Sequence, residues 1–210
     1  MKIRNFMMGL IGENCYTLTD EKSGLTAVID PGAMTDELRA FLRTLPAGSV
    51  PYILLTHGHF DHILGAAEVQ RMTGAKIVIH ELDAPCLEDE RESLADHECP
   101  GVQEYVHADI LVHDGDEITL GALKLRVMHT PGHTRGGVCY LCENVIFSGD
   151  TLFCHTCGRT DFPGGSMADM MASLQRLSDL EGDYTVYPGH NRATTLGEER
   201  VKNRYMRKLS

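Results

Sequence analysis

The sequence predicts an α/β (α+β) fold in which short buried strands alternate with amphipathic helices. Apolar runs such as Tyr52–Leu55 and Lys76–His80 are short and are bounded by turn-forming residues, which is typical of buried strands. The segment Met34–Leu45 instead repeats its apolar residues with the helical period and is closed by Pro46 and Gly48. Several strands lead into a histidine or an aspartate, the position at which open α/β architectures place their functional sites.

Length and composition predict a single globular domain spanning residues 1–210, because 42% hydrophobic residues are enough for a sizeable core. The net charge of -11 argues against a nucleic-acid binder, which normally carries a basic face. No apolar run approaches the roughly 18 residues that a membrane span needs. We therefore expect a small-molecule substrate, no nucleic-acid or membrane partner and a cytoplasmic location; the oligomeric state is open. Seven irregularly spaced cysteines predict reduced, mostly buried thiols.

The first three strands form a predicted β-meander that ends at a carboxylate. Its strands are Ile3–Leu10, Cys15–Thr19 and Leu25–Ile29, separated by glycine-containing turns. Asp30 follows the third strand directly. A carboxylate there could orient a metal-binding histidine by accepting its second N–H, or it could only stabilise the turn. The sequence leaves both alternatives open.

The central strand leads into a dense cluster of potential metal ligands, residues 57 to 62 with the sequence HGHFDH. In extended geometry alternate side chains share one side, so His57, His59 and Asp61 would point to one side. A helix is predicted to begin at His62 and to stop at Gly74. The turn from strand to helix would then direct Asp61 and His62 toward a second, adjacent point.

The segment Glu81–Glu104 is rich in acids and contains Arg91 as its only lysine or arginine. Such a segment is either a solvated face or a lid or wall over the site, and both interpretations stay open. The histidines in and around it lack ligand-like spacing, so we assign them to the surface or to a layer behind the site: His80, His97, His107 and His113.

The second half of the chain predicts further strands with ligands at their ends. The alternating strand Leu123–Val127 leads to a turn that presents His133, and a hairpin of Val138–Leu141 and Val145–Ser148 ends near Asp150.

A helix capped by Ser166 follows, with Asp169 in the capping-box position and a core-facing stripe of Met170, Met171, Leu174 and Leu177. The last strand, Tyr184–Tyr187, presents His190. A basic helix from about Thr195 closes the chain; its charge could attract an acidic substrate tail or be simple surface charge.

Together the strand ends supply five histidines and two aspartates, more than one tetrahedral metal can use. They suffice for two adjacent sites that share a bridging carboxylate. The set is His57, His59, His62, His133, His190, Asp61 and Asp150.

These residues lie in motifs that resemble those of the metallo-β-lactamase fold superfamily, and within it those of the glyoxalase II-like (hydroxyacylglutathione hydrolase-related) hydrolases. The resemblance implies a four-layer αβ/βα sandwich, two mixed β-sheets flanked by helices, with the site at one edge. The motifs are HGHFDH at 57–62, TPGHT at 130–134, SGDTLF at 148–153, GRTDFPGG at 158–165 and YPGH at 187–190.

The resemblance also implies roles for the candidate ligands. It assigns His57, His59 and His133 to metal site 1, Asp61, His62 and His190 to metal site 2, and Asp150 to both. The expected cofactors are two divalent metal ions, with zinc favoured over iron or manganese. Asp61 and Asp150 are the expected catalytic residues, since through the metals they hold the bridging hydroxide that attacks the substrate. Asp30, Arg159 and Asp161 are expected behind the ligands or at the pocket.

The implied function is hydrolysis of small thioesters such as S-lactoylglutathione. Longer glyoxalase II enzymes add a C-terminal helical domain that binds glutathione, and we expect none here. Asn191 replaces the glycine usual after the last ligand histidine. The alternative function is that of the persulfide dioxygenases of the same superfamily, which use one iron; here it would bind His57, His133 and Asp150. Cys154 and Cys157 form a Cys-x-x-Cys pair whose redox activity is open.

Overall fold

The computed structural model describes residues 1–9 and 12–208 and contains two six-stranded mixed sheets. In the first sheet the strands follow chain order; β1 to β3 pair antiparallel and β3 to β6 pair parallel. Its strands are β1 (Lys2–Met8), β2 (Glu13–Thr19), β3 (Thr26–Ile29), β4 (Tyr52–Leu54), β5 (Lys76–His80) and β6 (Ile110–Val112). The predicted meander is confirmed, although Leu10, its expected limit, lies outside the described residues.

The second sheet has the order β14-β13-β10-β9-β8-β7, and only its β10–β13 pair is parallel among the described pairs. Its strands are β7 (Glu117–Leu120), β8 (Leu123–His129), β9 (Val138–Cys142), β10 (Val145–Gly149), β13 (Thr185–Pro188) and β14 (Thr194–Thr195). A separate small hairpin is formed by β11 (Leu152–Phe153) and β12 (Thr156–Cys157).

The helices are α1 (Asp36–Arg43), α2 (Phe60–Ile63), α3 (Ala66–Thr73), α4 (Ala95–Glu98), α5 (Met167–Ser178) and α6 (Leu196–Lys202), with 3-10 turns at Ala84–Leu87 and Met206–Lys208. Helices α1 and α3 pack on the first sheet and α5 and α6 on the second, while α2 and α4 lie at the edge that holds the main cavity.

Three apolar clusters hold these layers together. One lies between the sheets and includes Leu18, Tyr140 and Phe147. The second joins the first sheet to α1 and α3, and the third joins the second sheet to α5 and α6. The molecule therefore has four layers, in which two facing sheets lie between two outer layers of helices. The predicted αβ/βα fold class is confirmed.

The prediction of one continuous helix from His62 to Gly74 is wrong at its N-terminal end. The chain forms α2 and α3 with a break at Leu64 and Gly65. The loop after β3 causes the break, because the Gly65 amide donates to the Pro31 carbonyl oxygen at 2.7 Å. A Cβ on residue 65 would lie 2.7 Å from that same oxygen, so the close approach requires glycine. The predicted stop at Gly74 is confirmed, with φ at +73°.

The later helices follow their sequence patterns more closely. Ser166 caps α5 by accepting from the Asp169 amide, and Met170, Leu174 and Leu177 are buried as predicted. The basic closing helix ends at Lys202, earlier than its charge pattern indicated. Arg200 donates to the carbonyl oxygens of three residues at and beyond the end of α5: Ser178, Leu180 and Gly182. Its charge therefore stabilises the fold, which favours the structural interpretation of this helix.

Two predictions made from composition concern the cysteines and the absence of a membrane span. The seven cysteines are free thiols and five of them are buried, which confirms the reduced, mostly buried state. No helix in residues 1–9 and 12–208 is both long enough and apolar enough to cross a membrane.

Candidate metal centre

The parallel strands of both sheets bring their carboxyl ends to one edge of the sandwich. In the first sheet β3 ends at Ile29 beside Asp30, and β4 leads to His57. In the second, β10 ends at Gly149 beside Asp150, and β13 leads to His190. His133 lies in the connection between β8 and β9. The strand ends thus place the predicted ligands together, although they are far apart in sequence.

Three imidazoles form the first ligand group: His57, His59 and His133. Their candidate ligand atoms all lie within 4.8 Å of one another. His133 Nδ1 lies 2.7 Å from the Arg159 carbonyl oxygen, to which it can only donate. This hydrogen bond fixes the tautomer, so the lone pair of His133 is on Nε2, which lies 2.8 Å from His59 Nδ1.

The second ligand group consists of Asp61, His62 and His190, whose candidate ligand atoms also lie within 4.8 Å of one another. His190 Nε2 is 3.1 Å and His62 Nε2 is 3.6 Å from Asp61 Oδ2.

Asp150 lies between the two ligand groups. Its Oδ1 is 3.4 Å from His62 Nε2, and its Oδ2 is 3.4 Å from His133 Nε2 and 3.6 Å from His190 Nε2. Burial disfavours the charge on Asp150, but the neighbouring imidazoles of His62 and His133 outweigh burial and lower the pKa of its carboxyl. The carboxylate is therefore ionised and faces both groups.

Unpartnered atoms show that these residues fit metal ions. Among the described residues, His57 Nε2, His62 Nε2 and Asp150 Oδ1 are buried without a hydrogen-bond partner. Such atoms are costly to bury, and imidazole nitrogen and carboxylate oxygen are ligand atoms for divalent metals. Burial also lowers the pKa of His57, and lowers that of His59 to about 3. Both rings are thus neutral, the state that metal coordination requires.

Asp30 contacts both the turn and a candidate ligand. Its Oδ1 accepts from the Thr56 amide at 2.7 Å and its Oδ2 accepts from the Thr56 hydroxyl at 2.6 Å. The same Oδ2 lies 3.1 Å from His62 Nδ1. Asp30 therefore has the contacts needed for both alternatives that the sequence left open, turn stabilisation and histidine orientation.

Gly189 lets the last strand pass directly behind the ligands. A Cβ at this position would lie 2.4 Å from Asp150 Oδ1 and 2.6 Å from His62 Cε1. The next turn residue, Asn191, has φ of +69°, a conformation that asparagine tolerates better than most residues. This explains how Asn191 can stand where the related enzymes have glycine.

A cavity of about 690 Å³ opens over both ligand groups. Its apolar wall includes Phe60, Leu94, Phe153 and Phe162. The acidic segment Glu81–Glu104 contributes part of this wall through Leu94, His97 and Glu98, which supports its interpretation as a wall over the site. His97, which we assigned to the surface or a second layer, is exposed but lines this cavity.

Arg159 and Asp161 form an ion pair beside the cavity. Arg159 donates twice to the Asp161 carboxylate, at 2.6 and 2.7 Å, and its guanidinium lies 3.9 Å from the centroid of the Phe162 ring. Of the two, Arg159 lines the cavity.

Two buried carboxylates beside the site were not singled out from the sequence. Glu13 is 1% exposed, and its Oε1 lies 3.9 Å from His62 Nδ1. Asp83 accepts from the Gly58 amide at 3.1 Å and, at 2.7 Å each, from the Thr134 hydroxyl and the Gly136 amide. Asp83 thus connects the loop that carries His57 and His59 to the loop that carries His133. No local pattern marks Asp83 within its acidic run, and Glu13 is the first residue of β2, a strand of mixed polarity in which burial is decided by tertiary packing.

The Cys-x-x-Cys pair lies in the β11–β12 hairpin, where Cys154 and His155 form the turn. It is therefore not at a helix N-terminus, the setting that lowers a thiol pKa. Burial instead raises the pKa of Cys157 to about 11. The neighbouring Glu199 accepts hydrogen bonds from Thr194, His155 and Asn203 and so closes the hairpin onto α6.

The fold is an αβ/βα sandwich of two facing mixed sheets. At one edge it carries two adjacent groups of histidine and aspartate ligands, so the protein is of the class with a candidate two-metal centre. A profile of the metallo-beta-lactamase superfamily matches residues 8–190, so the chain belongs to that superfamily. This match and the names of some relatives indicate a metal-dependent hydrolase.

The chain is similar to several proteins over most of its length. It is 36% identical to an uncharacterized protein of Mycobacterium tuberculosis, with 100% of both chains covered. It is 29% identical to the hydroxyacylglutathione hydrolase GloC of Haemophilus influenzae, over 94% of each chain.

Solved structures with the same fold include the B3 metallo-beta-lactamase BLEG-1, at a TM-score of 0.90 and 31% identity over 98% of this chain and 99% of that one. TTHA1623, solved in a di-iron-bound form, has a TM-score of 0.81 and 32% identity over 96% and 99%. ETHE1 from Myxococcus xanthus has a TM-score of 0.79 and 28% identity over 97% and 84%.

Proposed function

We propose that the chain hydrolyses small thioesters, with acyl-glutathiones such as S-lactoylglutathione as its substrate class. The observation that carries this proposal is the convergence of unpartnered, buried His57 Nε2, His62 Nε2 and Asp150 Oδ1 beside a cavity large enough for such a substrate. The similarity to a hydroxyacylglutathione hydrolase supports the choice of substrate.

In this proposal the first ligand group holds one divalent ion, the second holds another, and Asp150 contacts both. Zinc is the expected metal, while the same imidazole and carboxylate atoms also suit iron and manganese. The similarity to a protein solved with two iron ions supports a centre for two metals.

Bound metal ions would supply an acidified water as nucleophile and would polarise the substrate carbonyl. The residues of the chain provide the remaining requirements. Asp61, at the cavity wall, would hold the second ion together with His62 and His190 and so fix the position of the attacking water. The rings of Phe60 and Phe162 exclude bulk water and pack against the substrate. The departing thiolate is a good leaving group, so little further acid catalysis is needed.

The test is turnover of S-lactoylglutathione by metal-loaded protein, with release of free thiol followed by a thiol reagent and metal content measured on the same sample. We expect turnover that rises with metal content up to two equivalents per chain. A fully loaded protein that releases no thiol would refute the proposal. Hydrolysis of a β-lactam, the activity named for BLEG-1, would also refute the proposal if it were faster than hydrolysis of the thioester.

Persulfide dioxygenation is the second candidate, because the stretch from Cys157 to Phe162 resembles the corresponding motif of the persulfide dioxygenases of the superfamily. One iron on His57, His133 and Asp150 would suffice for that reaction. The complete second group, Asp61, His62 and His190, has no use in a one-iron centre, which favours the hydrolase. Oxygen uptake with sulfite formation from glutathione persulfide, at one iron per chain, would reverse this preference.

Seven free cysteines agree with a reducing compartment, and we propose the cytoplasm. Fractionation of cells that produce the full chain tests this location.

A further inference from the structure

A second cavity, of about 270 Å³, lies next to the main cavity. His59 and Pro163 line both cavities, so the two cavities adjoin at these residues. Thr134, Arg135 and Gly164 line only the second cavity. A substrate whose reacting carbonyl lies at the ligand groups can therefore extend past Pro163 into this second cavity.

Arg135 presents an unpaired positive charge there. Within residues 1–9 and 12–208, its guanidinium has no hydrogen-bond or ion-pair partner. Neighbouring arginines differ, since Arg91 pairs with Asp89 and Arg159 pairs with Asp161. The chain carries a net charge of -11, and within its described part Arg135 offers a positive charge without an acidic partner beside the candidate active site.

Local packing directs the Arg135 side chain along the cavity wall. A Cβ on Gly164 would lie 3.3 Å from Arg135 Cγ and 3.5 Å from its Nε, so the side chain lies against the glycine. The Asp83 carboxylate, which lines the same cavity, already accepts from three donors, Gly58, Thr134 and Gly136, and makes no ion pair with the guanidinium in the described part of the chain. The guanidinium is thus left to bind an external group.

We propose that Arg135 is a specificity-determining residue that binds a carboxylate of the substrate in the second cavity. The inference rests on the proposed thioester hydrolase, in which the carboxylate belongs to the thiol portion of an acyl-glutathione. A guanidinium presents its donors in a planar fork that matches a carboxylate, which a lysine ammonium does not. Because the contact lies away from the reacting carbonyl, it strengthens ground-state and transition-state binding alike.

The test compares the metal-loaded wild type with Arg135→Gln, Arg135→Lys and the control Arg43→Gln, which removes the same charge from the exposed side of α1. The probes are S-hexylglutathione, which cannot be hydrolysed, and its diethyl ester, both measured by calorimetry. We expect the wild type and Arg43→Gln to bind the free acid about tenfold more tightly than the ester. Arg135→Gln should lose this preference, and Arg135→Lys should keep part of it.

Steady-state kinetics with S-lactoylglutathione give the second measurement. Arg135→Gln should raise KM about tenfold and leave kcat unchanged, the pattern expected when uniform binding is lost. A purely structural role would instead change kcat or the binding of both probes equally.

The outcomes separate the two proposals. If no thioester is hydrolysed but Arg135→Gln abolishes the preference for the free acid, the carboxylate site stands and the hydrolase proposal fails. If thioesters are hydrolysed and Arg135→Gln keeps both its KM and its preference, the carboxylate site is refuted and the hydrolase stands. A wild type that binds acid and ester equally, or neither, also refutes the carboxylate site.

Discussion

Replacing Gly189 with alanine tests whether the two ligand groups form one metal centre, because it perturbs them without removing a ligand. The added Cβ would lie 2.4 Å from Asp150 Oδ1, whereas ordinary contacts begin at 3.4 Å. About 1 Å must therefore be absorbed by the Asp150 carboxylate, the His62 ring or the strand itself. The backbone at residue 189 is not left-handed, so steric overlap is the only expected cost.

A shift of about 1 Å is large compared with the roughly 0.2 Å within which metal–ligand distances are held. We expect Gly189→Ala to weaken metal binding at least about tenfold and to lower thioester turnover about 100-fold. Metal retained after dialysis against graded chelator concentrations, measured by elemental analysis, gives the affinity. Gly197→Ala, in α6, is the matched control, since the three atoms nearest to its Cβ all belong to the Asp183 carboxylate, the closest at 3.1 Å. A Gly189→Ala protein with wild-type metal content and activity would refute the proposed role of Asp150.

Three further perturbations address the ligands and their supports. Asp61→Ala should empty the second ligand group and leave about one metal equivalent per chain by elemental analysis. The first group keeps all three of its imidazoles in this variant. Asp83→Ala should lower the free energy of unfolding in urea by about 3 kcal/mol, since it leaves three buried donors without an acceptor. Burial and the stacked His129 ring lower the pKa of His80 to about 4, from an ordinary 6.5. On unfolding, His80 therefore takes up a proton between these values, so stability should fall as the pH falls from 6.5 toward 4. His80→Gln should reduce the difference between urea unfolding at pH 7 and at pH 5.

Each of these predictions has its own control or contrary result. Loss of both metals from Asp61→Ala would show that the two groups do not bind separately. The exposed Asp161→Ala, which removes a single surface ion pair, should cost less than about 1 kcal/mol, and an equal loss in Asp83→Ala would contradict the role given to Asp83. For His80, an unchanged pH dependence in His80→Gln would show that other groups control the acid response.

Much of the fold was predictable because its elements follow local patterns. The α5 helix illustrates this, since its Ser166 cap and its buried Met170, Leu174 and Leu177 follow directly from residue spacing. The helix after the central strand shows the limit. Its break at Gly65 depends on a hydrogen bond to the Pro31 carbonyl, which is distant in sequence. Helical periodicity, a local pattern, cannot predict such a contact.

The candidate site was predictable to the same degree. His57, His59, Asp61 and His62 lie within six residues, so their proximity is a local property of the chain. The sequence did not separate Asp83 from the solvated acids around it, since a buried, satisfied carboxylate and an exposed one are the same residue type.

The sequence by itself determined the set of candidate ligands and their placement after strands, because imidazole and carboxylate chemistry and strand periodicity are short-range properties. Only the tertiary structure decided how the two sheets bring Asp150 between the ligand groups, and that Glu81–Glu104 forms a wall of the main cavity. It also decided that Arg135 stays unpaired beside the second cavity within the described part of the chain. These outcomes depend on which distant segments pack together and which polar groups they leave without a partner.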